Sequence, residues 1–346
     1  MKDNFKNSIK KTIAAILVKQ NSKLIIDEIT LPSSLKKGQV LIKLIYSGIC
    51  ASQLGEIQGI KGKDKFLPHL LGHEGIGEVI NFGKGVRKVK TGDKVLLHWM
   101  PSNGINAEPP VYYWKNKKIN AGYVTTFNYH SIVSENRITK IPNNKKNFLN
   151  YLLLGCTAST AIGSVKKADI KNKEKKILVS GCGAIGIYII KYLKQLGFKN
   201  LTGLDIKLKK LNFAIKNGCS ITFNSKSKKG FKDKYDIIFE TTGNAKLVSK
   251  LFEQMTHNGE MILIGVPKYK TKASFNTLDI NLGKKLIGSK GGDFKANRDI
   301  KRFFKIVKIN NNKNYLTDII KLKDINKLFS KMRKNLVIGK SIIEFN

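Results

Sequence analysis

The sequence is short of acid. Against 64 lysines and arginines stand only 24 aspartates and glutamates, a formal net charge of +40 over 346 residues. Arginine is scarce too: Arg87, Arg137, Arg298, Arg302 and Arg333 are the whole supply, so lysine carries the charge. A basic surface gains affinity for nucleic acid by releasing counterions from phosphates, but arginine is the side chain suited to bidentate phosphate and base recognition. The lysines are also spread along the chain, through Lys36-Lys37 and stretches 84–90 and 226–234, with no basic tail. This argues against a specific nucleic-acid partner and for a solvated, compositionally biased surface that binds polyanions weakly at low salt. Cysteine is equally sparse. Cys50, Cys156, Cys182 and Cys219 are too few and too scattered for a disulfide scaffold, which fits a reducing cytoplasm. No run approaches the ~20 apolar residues that span a bilayer, so no membrane partner is expected. The apolar stretch 12–18 follows lysines as a signal peptide would, but no small-residue cleavage site comes before Lys19 and Gln20, and a first strand is expected there.

What is present is ordinary globular material: 41% hydrophobic and 25% charged residues, with neither repeats nor a low-complexity linker. The length suits two domains at roughly 150 residues each. Short strands with turn signals are expected at 24–26, 40–46, 77–80, 94–97 and 124–127. From about 157 the pattern changes to apolar strands alternating with helical stretches, the sign of a parallel sheet with helical crossovers. Strands are expected at 176–180, 201–204, 235–239, 260–264 and 285–288, and a helix over 185–196. Beyond 293 the chain returns to mixed character, with amphipathic helices over 298–309 and 324–333.

One loop carries a phosphate-binding pattern. In Val179-Ser180-Gly181-Cys182-Gly183-Ala184-Ile185-Gly186-Ile187 an apolar strand runs through G-x-G-x-x-G into a helix. Gly181 can make the tight turn, Gly183 lets backbone approach a pyrophosphate, and Gly186 allows close helix-to-strand packing at the helix N-terminus. Asp205 ends the next strand, 19 residues after Gly186. A carboxylate there accepts from ribose hydroxyls and repels a 2′-phosphate, which favours NAD over NADP. Lys207 and Lys210 pull the other way, since either can approach a 2′-phosphate. The bland alternative is an ordinary α/β turn.

His73 and Glu74 lie in a glycine-rich turn, Cys50 precedes them, and Cys156 stands at the junction of the two halves. Two thiolates and an imidazole with an open fourth position have the composition of a catalytic zinc site, whereas a structural site closes with four ligands. A buried, inert thiol is the commoner fate of any single cysteine, and spacing alone leaves both readings open.

Gly72-His73-Glu74-Gly75-Ile76-Gly77, continuing to Gly83 and Val86, resembles the zinc signature of the medium-chain alcohol dehydrogenases. Gly48-Ile49-Cys50-Ala51-Ser52 is similar to the segment bearing that family's first zinc ligand, and Leu154-Gly155-Cys156 to the one bearing its last. Lys90-Thr91-Gly92-Asp93-Lys94-Val95 and Thr241-Thr242-Gly243-Asn244 also match the family in order. The resemblance implies an α/β protein: a GroES-like, strand-rich catalytic domain from residues 1–156 and 293–346 enclosing a Rossmann doubly wound parallel sheet at 157–292. It implies Cys50, His73 and Cys156 as ligands of one catalytic Zn²⁺ and Glu74 as a neighbour that enters the coordination sphere during exchange. Ser52 becomes the hydroxyl that passes a proton towards solvent, and Gly181, Gly183, Ala184, Ile185, Gly186, Asp205 and Lys210 the NAD site. It further implies a small-molecule alcohol or carbonyl substrate and a homodimer or homotetramer, paired through the edge near 285–288.

Departures from the family are specific. The lobe that often holds a second, structural zinc on four cysteines has no cysteine between Trp99 and Asn120. Its aromatic replacement, Pro109-Pro110-Val111-Tyr112-Tyr113-Trp114, is suited to a substrate entrance, to packing or to a dimer contact. Gln53 replaces an aspartate that orients the ligand histidine, and Gly55 stands where some members carry the last histidine of a proton relay. Ala51 and Ile343 replace basic pyrophosphate contacts, a role left open to Lys340. His69, His98, His130 and His257 read as structural or exposed, Cys182 as a small tolerated residue and Cys219 as core. The remodelled lobe suggests a polar or bulkier substrate such as a polyol, cyclitol or sugar derivative. Two alternatives stand beside the zinc-dependent dehydrogenase: a zinc-free NAD(P)H reductase on the same fold, and a polyanion-binding protein on a vestigial enzyme fold.

Overall fold

The computed structural model describes residues 9–227, 233–309 and 315–345, so the lysine stretch at 226–234 lies partly outside the described residues. The chain divides into two compact units, one running to Cys156 and resuming at Lys295, the other Thr157–Phe294. The first unit opens with β1 (Lys11–Leu17), β2 (Ile25–Thr30), β3 (Gln39–Ile49), α1 (Ala51–Gln58), β4 (His69–Leu70), β5 (Gly75–Phe82) and β6 (Lys94–Leu97). It continues with β7 (Tyr112–Trp114), β8 (Lys117–Ile119), β9 (His130–Ser134), β10 (Ile138–Lys140) and α2 (Phe148–Leu152). The second unit holds α3 (Thr157–Lys167), β11 (Ile177–Ser180), α4 (Ala184–Gln195), β12 (Leu201–Asp205), α5 (Leu208–Asn217) and β13 (Ile221–Asn224). It ends with β14 (Tyr235–Glu240), α6 (Ala245–Glu253), β15 (Met255–Leu263), α7 (Thr277–Asn281) and β16 (Lys285–Gly288). The return to the first unit adds α8 (Ala296–Ile309), β17 (Leu316–Ile320), α9 (Ile325–Arg333) and β18 (Lys340–Glu344).

The first unit is built on two sheets, ordered β4-β1-β2-β7-β8 and β10-β6-β5-β3-β18-β17, with β9 also on β3. Strand alternation sends successive side chains to opposite faces, and here both faces are buried. Ala15 and Leu17 of β1 join Val40, Ile42 and Leu44 of β3 in one core, while Ala14, Ile16 and Leu41 join Tyr112 and Ile132 in the other. The closing strand matters for the site: β18 pairs antiparallel with the last residues of β3, Ser341 opposite Ile49, so the chain's C-terminal part braces the strand that delivers Cys50.

The second unit is one parallel sheet ordered β13-β12-β11-β14-β15-β16. Counted within the unit this is 3-2-1-4-5-6, the dinucleotide-binding order, with its switch point between β11 and β14. Ile177-Leu178-Val179-Ser180 is buried throughout, as a parallel strand covered on both faces must be. β13 has no counterpart among the expected strands; its residues are only partly covered.

One expectation needs correction. Residues 124–127 form no strand: Thr126 and Phe127 N–H both donate to Leu71 O, and Ala15 N–H donates to Phe127 O, which leaves no ladder although the stretch is buried. The cysteine-free lobe folds by other means. Tyr112 and Trp114 sit on a hairpin whose two-residue turn, Lys115-Asn116, has both φ angles positive (49° and 63°), as a primed turn requires. Tyr112 accepts a hydrogen bond from Ile132 N–H in the core and Trp114 Nε1 donates to Asp27, so these two aromatics serve packing. The segment before that hairpin is tied by the buried carboxylate of Glu135, which accepts from the N–H groups of Arg87, Lys88 and Ile105. Lys88 Nζ donates to Ser102 Oγ and to the carbonyls of Asn103 and Ile138. Burial lowers its pKa to about 8, so it still carries its charge at pH 7, and this knot holds a segment that four thiolates and a metal would otherwise tie.

Candidate active site and metal centre

Three separate chain segments of the first unit bring Cys50, His73 and Cys156 together. Cys50 follows β3 and caps α1 in extended conformation. His73 lies between β4 and β5, and Cys156 follows a 3-10 turn, Leu153–Gly155. A Cβ on Gly155 would come within 2.7 Å of both Glu74 Cβ and Leu97 O, so only glycine lets that turn lie against the His73-Glu74 segment. The ligand atoms of the three residues lie within 4.8 Å of one another. Nε2 of His73 is buried with no oxygen or nitrogen partner. Hydrogen bonding from Cys156 lowers the Cys50 thiol well below its ordinary pKa, with His73 adding to the effect, while the Cys156 thiol is pushed up. Converging soft sulfurs, one already inclined to thiolate, and an orphaned imidazole nitrogen are a donor set that suits a zinc ion. The chain therefore fits the metal that its pattern implies.

The surroundings are less usual. Gln53, buried on α1, accepts from Cys50 N–H through Oε1 (2.8 Å) and sets Nε2 against Nδ1 of His73. Glu74 is fully buried and its Oε1 pairs with the ammonium of Lys340, itself 1% exposed, while Oε2 has no partner. Burial pushes the Glu74 carboxyl up, against the pull of Lys340. Burial alone would lower Lys340, but Glu74 and the two sulfurs hold it above the ordinary lysine value. Lys340 is thus committed to Glu74, which corrects the expectation of a pyrophosphate contact. Ser52 Oγ is buried without a hydrogen-bond partner in the first turn of α1.

His73 and Gln53 face a cavity of about 860 Å³ with a largely apolar lining into which Gln20, Glu56, His69, Asn120 and Tyr123 bring polar groups. Glu56 escaped the sequence reading. It stands one helical turn after Ser52, an i, i+4 relation that puts both on one face of α1 and was the available signal. Burial raises its carboxyl, against His73, His69 and Lys61. Pro109 also lines this cavity. The other histidines are structural where the structure gives them partners: His69 pairs with Asp64 at 2.8 Å, and His98, fully buried between Met100 O and Thr139 Oγ1, is driven to a pKa of about 3 by burial.

In the second unit the glycine loop joins β11 to α4. Gly181 has φ +90°, and a Cβ on Gly186 would meet Gly181 O at 1.9 Å, so the turn and the close start of α4 both need glycine. Gly183 faces open space: nothing lies within 4 Å of its notional Cβ. Ala184, Ile185 and Gly186 begin α4, whose N-terminal N–H groups and positive dipole end suit a pyrophosphate. Asp205 accepts from Cys182 N–H with Oδ2 and from Ile206 and Lys207 N–H with Oδ1, which ties the end of β12 to the loop. Lys210 lies in the first turn of α5, and Cys182 and Cys219 are buried thiols raised by burial.

Comparison with known proteins supports both halves. Residues 36–143 match the family model for the alcohol dehydrogenase GroES-like domain, and residues 184–308 the model for a zinc-binding dehydrogenase. The chain is 27% identical to an S-(hydroxymethyl)glutathione dehydrogenase of Escherichia coli over 296 residues, 75% of this chain and 80% of that protein. It is 25% identical to an alcohol dehydrogenase of a Moraxella species over 353 residues, 96% of this chain and 99% of that one. In fold it matches an alcohol dehydrogenase zinc-binding domain protein from Burkholderia ambifaria with a TM-score of 0.85, at 20% identity, covering 97% of this chain and 99% of the other. A cysteine-histidine-cysteine centre, a dinucleotide-ordered parallel sheet and two family models that together span more than half of the sequence lead to one assignment: the chain belongs to the zinc-dependent medium-chain alcohol dehydrogenases, oxidoreductases that act on the CH–OH group with NAD.

Proposed function

We propose that this zinc- and NAD-dependent oxidoreductase uses Cys50, His73 and Cys156 as the three protein ligands of its ion, with the cavity beside His73 as the alcohol site. The observation that carries the reading is the convergence of three ligand atoms within 4.8 Å around an unpartnered imidazole nitrogen. When bound, zinc supplies the positive charge that lets an alcohol lose its proton at neutral pH, and NAD supplies the ring that takes the hydride. Ser52 accepts the hydroxyl proton at Oγ as it gives up its own. Because Gly55 has no side chain to continue the path, Glu56 is the next group on that face of α1, and burial raises its pKa in the direction that favours taking up a proton. Glu74 offers a buried, unpartnered Oε2 for exchange at the open metal position, with Lys340 holding its other oxygen. In the other unit Gly181, Gly183, Ala184, Ile185 and Gly186 cradle the pyrophosphate, Asp205 takes the adenosine ribose, and Lys210 approaches its phosphate side.

We assign residues 1–156 and 293–346 to the catalytic domain and 157–292 to the NAD domain. Four free cysteines, two of them needed as thiolates, point to the cytoplasm. Among the described residues no single helix is long and apolar enough to cross a membrane. The second unit supports a homodimer, or a homotetramer built from it: β16 is an open sheet edge, and Val266, Tyr269, Leu278, Ile280 and Leu282 are exposed on the segments leading to it.

The test is a panel of alcohols read as NADH absorbance, with metal analysis in parallel. Wild-type protein should hold one zinc per chain and lose activity to a chelator. Cys50→Ser should lose the ion and about a thousandfold or more in rate, the scale of several kcal/mol of charge stabilisation. A metal-free yet fully active enzyme would exclude this function and favour the zinc-free reductase.

A further inference from the structure

The loop after α1 reads Ile60-Lys61-Gly62-Lys63-Asp64-Lys65-Phe66, and Lys61 to Phe66 all line the cavity beside His73. Its backbone is fixed from three sides. Gln20 Nε2 donates to Gly62 O (2.9 Å), Asn120 Nδ2 donates to Phe66 O (2.7 Å), and Asp64 is held by His69 at 2.8 Å while accepting from Phe66 N–H. These anchors consume the loop's one carboxylate. Alternation along the loop leaves Lys61, Lys63 and Lys65 exposed, and none of them enters an ion pair among the described residues. The other carboxylate on the cavity wall, Glu56, is partly buried, and burial raises its pKa. A cavity wall with three exposed ammonium groups on a pinned backbone and only the partly buried Glu56 to set against them carries an excess of positive charge.

We propose that the alcohol oxidised here carries an anionic group, a carboxylate or a phosphate, which the Lys61, Lys63 and Lys65 loop receives while the CH–OH end lies at the metal centre. This rests on the reading of the same cavity as the alcohol site and adds its substrate class. The uniform lysine excess of the chain is the competing cause of any preference for anions, so the test must separate a local field from a global one.

Kinetics of NAD reduction should be measured on three matched series of three to six carbons: 1-alkanols, ω-hydroxycarboxylates and ω-hydroxyalkyl phosphates. At one or more lengths an anionic member should exceed its neutral partner in kcat/KM by about tenfold or more, as charge-assisted contacts are worth. Whether carboxylate or phosphate leads identifies the group. In Lys61→Ala/Lys63→Ala/Lys65→Ala that ratio should fall towards one, and 0.5 M salt should erode it in the wild type. The control Lys171→Ala/Lys173→Ala/Lys175→Ala removes three equally spaced charges from the other unit and should keep the ratio. Equal rates on neutral and anionic alcohols would overturn the proposal and leave the dehydrogenase standing, as would a ratio that survives the first variant or falls equally in the control. A zinc-loaded enzyme that oxidises no alcohol of any series would overturn both.

Discussion

Among single residues, the ligand set was legible because its chemistry is rare: few side chains bind zinc, and Cys50, His73 and Cys156 stood in recognisable words. What surrounds them was less legible, since hydrogen-bond partners depend on where a chain folds back. Lys340 looked available and is buried on Glu74, a partner 266 positions away, and Glu56 was passed over although it shares a helix face with Ser52. Gln53 was marked as a departure, and the structure gives that departure a mechanism. Its amide has one acceptor, Oε1, already held by Cys50 N–H, while its Nε2 lies against Nδ1 of His73. A metal held through Nε2 of His73 leaves the imidazole proton on Nδ1, which then needs an acceptor. The two donors compete for a single oxygen, and a carboxylate would serve both. Gln53→Asp should therefore tighten zinc by about tenfold, the lower end of what such outer partners are worth, and Gln53→Ala should loosen it. Competition against a chromophoric chelator measures this; an affinity that Asp leaves unchanged would show that His73 finds its acceptor elsewhere.

For whole elements, periodicity placed the parallel strands and the α4 helix to within a few residues, because buried strands and amphipathic helices write their spacing into the chain. It failed at 124–127, where a β-branched run is buried by tertiary contact with Leu71 and Ala15 without pairing as a strand. It also missed β13, whose partly exposed residues carry no clear alternation. The glycine loop shows how an element divides its labour. At Gly186 a methyl would collide with Gly181 O, so Gly186→Ala should disrupt the β11–α4 turn and lower Tm by several degrees, as overpacking of about 1–3 kcal/mol does. At Gly183, with φ −83° and nothing near the added carbon, the protein itself gives no reason for glycine. Gly183→Ala should leave Tm within about a degree of wild type, since φ is ordinary and alanine costs less unfolded-state entropy. Its NADH affinity, read by fluorescence titration, should fall by about tenfold or more because the methyl takes the place of the pyrophosphate. Unchanged NADH binding in Gly183→Ala would remove the cofactor from this loop.

The molecule as a whole is governed by its charge, which the sequence states outright but whose meaning needs the fold. A +40 chain repels its own copy, yet the second unit presents an open β16 edge beside Val266, Tyr269, Leu278, Ile280 and Leu282. Burying apolar area and extending the sheet across a two-fold axis favour a dimer, and the net charge opposes it. Salt separates these terms, because the Debye length shrinks from about 30 Å at 0.01 M to about 8 Å at 0.15 M while the apolar contribution is left intact. Light scattering should then show a mass near twice 38.8 kDa at physiological salt, with the monomer gaining ground as salt is removed. Ile287→Asp, which sets a carboxylate on the edge strand, should hold the protein monomeric at every salt. Polyanion binding should move the opposite way, strong near 0.01 M and lost steeply by about 0.2 M, as counterion release dictates for a diffuse lysine surface. A single-chain mass in 0.5 M salt would remove the dimer, and sequence-dependent nucleic-acid binding that survives 0.2 M would restore the polyanion function that the scattered lysines argue against.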